Sequence, residues 1–164
     1  MKPFEIARVF DAPRDQVWKA WTEAERLKHW WGPKGFVVKQ VKVDLRPGGT
    51  MHYCLQAPDG SEMWGKFAYQ ELVKERKLVY LNSFSDPKGG TSRHPGHAAW
   101  PLEMATTITF EDAGPGKTKV TVHWLPAPGS TEAEKKTFDE LRDSMRMGWG
   151  GTLDHLTAHL GSAK

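Results

Sequence analysis

The chain has 164 residues, of which 26% are charged and 38% hydrophobic, with a net charge of +3. These values exclude extended disorder, and the length is too short for two ordinary domains, so a single domain over 1–164 is expected. No run approaches the roughly 18 apolar residues of a membrane helix, and Met1 to Glu5 lacks the apolar core of a signal peptide.

The first strand is predicted from Phe4 to Phe10. It ends at Asp11-Ala12-Pro13, where the fixed φ of proline suits the first turn of a helix carrying Val17, Trp18 and Trp21. A second short helix is expected from Thr22, whose spacing to Glu25 has the form of a capping box, and Trp31-Gly32-Pro33 ends it. From Phe36 to Leu125 the pattern is β-strand punctuated by turns. Arg46-Pro47-Gly48-Gly49 and Pro58-Asp59-Gly60 flank Thr50 to Ala57, in which Met51, Tyr53 and Leu55 share a face. Further strands are predicted over 62–73, 77–84, 103–111 and 117–125, and their short joins favour an antiparallel meander. Ser85 to Pro101 has no periodic pattern, carries two prolines before its last residue, and exceeds the usual length of a structureless join, so a lid or a disordered loop is expected there. Thr131 to Glu134 forms a second capping box. After it Phe138, Leu141, Met145, Trp149, Leu153, Leu156 and Leu160 recur at steps of three or four, predicting one continuous helix from Thr131 to Gly161. Gly148, Gly150 and Gly151 interrupt it at a cost on the order of 1 kcal/mol each against alanine. They imply close backbone packing, local flexing or room for a ligand.

A strand, two short helices, a six-stranded meander and a long last helix make an α+β helix-grip arrangement, a curved antiparallel sheet wrapped around the C-terminal helix. Within that order stand Asp11-Ala12-Pro13 with Val17 to Thr22, Trp30-Trp31-Gly32-Pro33, and Asp44 to Gly49. Gly65, Pro95, Trp100-Pro101 and Gly148-Trp149 with Leu153 and Leu156 follow. This set resembles the START-like (SRPBCC) superfamily and, within it, the bacterial family similar to the C-terminal domain of the activator of the ninety-kilodalton heat-shock chaperone's ATPase. The resemblance covers nearly the whole chain. It implies an apolar cavity between sheet and helix, used across the superfamily for lipids, sterols, polyketides and other hydrophobic molecules, with enzymatic activity in some members. The eukaryotic activators carry an additional N-terminal domain, for which a chain beginning at its first strand is expected to leave no room.

Eight Trp beside three Tyr ask for a large apolar surface to cover or a cavity to line. The candidate ligand-binding residues are Trp31, Met51, Tyr53, Phe67, Tyr80, Phe84, Trp100, Met145 and Trp149. Ordinary core packing is the competing explanation for each, because alternation does not say which strand face points inward. His94-x-x-His97 and His155-x-x-x-His159 have spacings that can place two imidazoles on one metal, but neither pair has an obvious third ligand, and no metal site or cofactor is assigned. No nucleophile elbow, phosphate loop or Cys-His arrangement is present. Glu103, His123 and Arg46 are the places to look for acid–base chemistry, and no catalytic residue is assigned. Cys54 has no cysteine partner and is expected to pack as a small apolar group. Lys and Arg are interleaved with Asp and Glu without a basic run, which argues against nucleic acid. The leading expectation is a cytoplasmic monomer or weak homodimer, with no membrane insertion, that reversibly binds a small hydrophobic or amphipathic molecule between sheet and helix. The alternatives are a cyclase- or hydrolase-type enzyme acting in the same cavity and a chaperone-accessory interaction protein.

Overall fold

Alternation of β-branched and aromatic residues with polar ones builds most of the chain. In the computed structural model, which describes residues 1–162, β1 (Phe4–Phe10) leads into α1 (Arg14–Thr22) and α2 (Ala24–Leu27). Then come β2 (Val37–Val43), β3 (Thr50–Gln56), β4 (Glu62–Val73), β5 (Lys77–Ser85), β6 (Thr91–Ser92), β7 (Met104–Asp112) and β8 (Thr118–Pro126). Two helices close the chain, α3 (Glu132–Glu140) and α4 (Arg142–Ser162). Residues 163–164 of the expected domain lie outside the described residues.

The strands form one curved, unclosed antiparallel sheet in the order β1-β8-β7-β5-β4-β3-β2, with the short β6 paired to β5. Bulges at Val38/Gln40 in β2 and Tyr69/Glu71 in β4 insert extra residues and sharpen the local twist. The two margins of the sheet, β1 and β2, do not pair with each other. Asp154 on α4 sits between them, accepting from Arg8 of β1 at 2.6 Å and contacting Lys34, just ahead of β2, at 3.2 Å. The helix therefore bridges the gap that the sheet leaves.

The inward face is aromatic. Trp21 from α1 meets Trp30 edge-on at 4.9 Å between ring centroids and stacks on Trp149 of α4 at 6.2 Å. The Trp30 indole N–H donates to Ala20 O, which ties the end of the α2 turn back onto α1. Cys54 is buried, as its packing role requires.

Four local expectations differ from the structure. Thr22 does not cap α2; it is the last residue of α1, and its hydroxyl donates to Trp18 O one turn back, so that Glu23 stands at the start of α2 without a side-chain cap. Pro13 precedes the first turn of α1 as its extended cap residue rather than lying within it. The helix predicted from Thr131 to Gly161 is two helices, broken at Leu141, whose N–H is shared between Thr137 O and Phe138 O. The apolar stripe passes through the break undisturbed because Leu141 stays on the inward side. The Ser85 to Pro101 segment contains a further strand: Thr91–Ser92 folds back onto Phe84–Ser85, and the Asp86 carboxylate accepts from the backbone of Lys88 and Gly90 at the turn. The sheet accordingly has eight strands rather than seven.

Candidate functional site

A cavity of about 380 Å³ lies between the inward face of β3, β4 and β5 and one side of α4. The turn after α2 and the β6–β7 segment complete its wall. Each element brings its lining residues by its own periodicity. Tyr80, Asn82 and Phe84 alternate inward along β5, Tyr53 and Leu55 along β3, while Leu141 comes from the break before α4 and Met145, Gly148, Trp149 and Thr152 from successive turns of α4.

The structure brings eight of the nine candidate residues to this one cavity: Trp31, Tyr53, Phe67, Tyr80, Phe84, Trp100, Met145 and Trp149. Met51 does not border it. It shares a strand face with Tyr53 and Leu55, but it stands opposite Phe67 in the β3–β4 register and is fully buried in the packed core beneath the cavity wall. The wall is an interlocked set of rings. Trp31 meets Tyr53, Phe67 and Trp149 edge-on at 5.3–5.9 Å, and Phe67 stacks face to face on Tyr80 at 3.9 Å with an interplanar angle of 8°.

Gly65 and Gly148 shape the wall, and Gly151 sets how closely α4 approaches the turn after α2. Gly65 lies directly opposite Tyr53 in the β3–β4 ladder, and a Cβ placed on it would stand 2.3 Å from the Tyr53 hydroxyl, so the ring lies over bare backbone. On α4, a Cβ at Gly148 would meet nothing within 4 Å, whereas one at Gly151 would press on the backbone N of Lys34 at 3.2 Å. Gly148 thus leaves space beside the cavity, and Gly151 lets the helix approach the turn after α2.

The chemistry of the lining is nearly uncharged. Among the described residues no Asp, Glu, Lys or Arg borders the cavity. Its titratable groups are Tyr53, Tyr80, His94 and His97. Burial pushes the Tyr53 phenol up to about 12 and the Tyr80 phenol well above its ordinary value, so both stay neutral hydroxyls at any physiological pH. The His94 ring packs on Phe84 at 4.7 Å, and its Nδ1 accepts from Gly96 N–H, which puts the proton of the neutral ring on Nε2. Burial, with His97 nearby, lowers its pKa, so the neutral ring dominates near pH 7.

The β6–β7 segment is fastened by one carboxylate. Glu134 caps α3 in a complete capping box with Thr131, accepting through Oε1 from Thr131 N–H. Its Oε2 accepts from Leu102 N–H at 2.8 Å and Arg93 at 2.9 Å, holding both ends of the stretch that carries His94, His97 and Trp100. The backbone N–H of Thr131 and of Leu102, with the Arg93 guanidinium, outweighs the cost of burial and holds the carboxyl at about 2. Capping spacing alone reveals the first of these jobs and not the second.

The other sequence candidates fall elsewhere. His155 Nδ1 lies 2.8 Å from Gly32 O and His159 stacks on His29, so the helical pair is turned to packing. His94 and His97 do reach the cavity, their rings 5.1 Å apart. Among the described residues no group of three or more His, Cys, Asp or Glu side chains could hold a metal ion. His123 is half-exposed on the outer face beside Glu5, at 3.8 Å; Arg46 pairs with Asp44 in an exposed turn, and Glu103 is outside the cavity lining. Asn82, like Ser83, Ser144 and Thr152, is a polar lining residue that hydrophobic patterning passes over, since an isolated polar side chain gives no periodic signal.

No described helix is long and apolar enough to cross a membrane. Comparison with known proteins places the chain in good company structurally. The family model for "Activator of Hsp90 ATPase homolog 1-like protein" matches residues 11–161. A crystal structure of a protein from Nitrosomonas europaea is similar over 98% of this chain and 95% of its own, with 25% identity and a TM-score of 0.76. A solution structure from Arthrobacter aurescens covers 98% of this chain and 86% of its own at 21% identity and a TM-score of 0.77. The AHSA1 protein from Silicibacter pomeroyi covers 99% and 100% at 15% identity and a TM-score of 0.75. No curated protein matches the chain.

Proposed function

The chain belongs to the Activator of Hsp90 ATPase homolog 1-like family, and from that premise we propose that it reversibly binds a small, uncharged hydrophobic or amphipathic molecule between its sheet and α4. The observation that carries this reading is the cavity itself, about 380 Å³ with an aromatic wall and, among the described residues, no Asp, Glu, Lys or Arg. Its size lies in the range of about 300–1,000 Å³ typical of small-molecule sites, and is more than twice the roughly 150 Å³ that accepts one benzene. That favours a body of two or three rings, or a folded acyl chain of similar bulk. Removing ligand apolar surface from water supplies about 25 cal/mol per Å² buried, and the edge-on rings offer faces for stacking.

Binding is favoured over catalysis because, among the described residues, the lining holds no carboxylate and its phenols stay protonated. Native mass spectrometry and tryptophan quenching against a panel of fatty acids, aromatic hydrocarbons and aromatic ketones test the reading. One-to-one saturable binding of at least one class is expected; a panel without any saturable member overturns it.

A further inference from the structure

We infer that Asn82 is the specificity residue of this cavity, selecting uncharged ligands that carry an acceptor oxygen, a carbonyl or an ether, over hydrocarbons of the same shape. The inference rests on the ligand-binding reading above and adds the polar feature that such a ligand must have.

Asn82 stands in the middle of the sheet. β5 has three strands on either side of it in the main path, and Asn82 pairs across to Phe67 on β4 and Met104 on β7. Along its own strand the flanking inward residues are Tyr80 and Phe84. An amide surrounded in this way by apolar lining is costly unless its polar atoms find partners. One half of it has a partner within the protein. The buried Thr106, on the neighbouring β7, donates its hydroxyl to Asn82 Oδ1 at 2.5 Å. In this arrangement the carbonyl end of the amide faces β7 and Nδ2 is the other end. Among the described residues none accepts from Nδ2. Asn82 is only half-buried although it lies on the inward face, so its unpartnered end borders the cavity space.

Two amide N–H groups, oriented by Thr106 and framed by rings, form a fixed donor on the sheet side of a wall in which the Trp31 and Trp124 indole N–H groups and the Tyr80 hydroxyl are also buried without a partner. An acceptor oxygen on the ligand satisfies that donor; a methylene in its place leaves it desolvated and unpaired. An ionised oxygen is disfavoured, because among the described residues no cationic side chain borders the cavity to compensate for burying it.

The test uses two tricyclic probes that differ at one position, 9-fluorenone with a carbonyl and fluorene with a methylene, titrated into wild-type protein and into Asn82→Leu and Asn82→Asp by calorimetry. Wild type is expected to bind fluorenone about five- to tenfold more tightly, the span of one net hydrogen bond. Both variants are expected to lose that preference, with fluorene binding to Asn82→Leu at least as well as to wild type. Asn82→Asp keeps an acceptor for Thr106 and, titrated at a pH above that of its carboxyl ionisation, carries no donor, so it decides the matter should Asn82→Leu fail to fold. Equal affinity of the two probes for wild type, or a preference that survives in a folded variant, refutes the role of Asn82 and leaves the ligand-binding reading standing. Absence of binding by both probes overturns the role of Asn82, while the ligand-binding reading falls only if the whole panel shows no saturable member.

Discussion

Replacing a helical glycine by alanine should have opposite consequences at two positions three residues apart in α4. In each case the intrinsic preference of the helix favours alanine by about 1 kcal/mol. At Gly148 nothing lies within 4 Å of the new methyl, so the gain should appear nearly whole. At Gly151 the methyl would press on the backbone N of Lys34 at 3.2 Å and on its Cγ at the same distance. Backbone cannot swing aside as a side-chain end does, and overpacking of this sort costs about 1–3 kcal/mol, enough to cancel or reverse the gain. For a chain of this size 1 kcal/mol moves the melting temperature by about 2–4 °C. Thermal unfolding followed by circular dichroism should therefore show Gly148→Ala melting about 2–4 °C above wild type and Gly151→Ala at or below it. Because propensity is common to both, the difference isolates packing. Equal stabilisation by the two substitutions would refute the close approach of α4 to the turn after α2, and destabilisation by Gly148→Ala would refute the space beside that glycine.

Two further substitutions probe the wall and its fastening. Gly65→Ala drives a methyl into the Tyr53 hydroxyl and should cost about 1–3 kcal/mol in denaturant unfolding, with a changed near-ultraviolet signal from the displaced ring; an unchanged midpoint would contradict the contact. Glu134→Gln swaps part of a carboxylate that accepts from Thr131, Leu102 and Arg93 for a donating amide, and should cost roughly 1.5–3 kcal/mol, the worth of a hydrogen bond to a charged group. The folded pKa of Glu134 lies at about 2, below its ordinary value of 4.5. Its contribution is thus present above pH 4.5 and lost as pH falls toward 2. Wild-type stability should decline across that interval with a slope that Glu134→Gln lacks; parallel acid profiles would show that the fastening is unimportant.

The strands were legible because alternation and turn chemistry act locally: Arg46 to Gly49 and Pro58 to Gly60 mark joins whatever lies beyond them. The same locality explains the misses. Thr22 and Glu25 have the spacing of a capping box, but Thr22 falls inside a helix that ends later than Pro13 and Trp21 suggest, and there its hydroxyl bonds to the preceding turn. The break at Leu141 is invisible to periodicity, since a residue can leave helical geometry and keep its side chain on the inward face. β6 holds two residues and depends on the Asp86 turn, too little sequence to carry a strand pattern. Aromatic cavity residues could be named from their positions on strands and helix, whereas Met51 required knowledge of depth along β3. Asn82 required knowledge of Thr106, which is distant in sequence and adjacent only in the sheet.

The central claim is that apolar molecules enter the space between the sheet and α4. Gly148 lines that space and an added Cβ there meets nothing within 4 Å, so Gly148→Leu is directed at it from the helix side and fluorene affinity measured for wild type and this variant tests the claim most directly. Wild type should bind one equivalent, and Gly148→Leu should bind about tenfold or more weakly while melting no lower than wild type. Equal affinity in a folded Gly148→Leu protein would place the ligand somewhere else and contradict the claim.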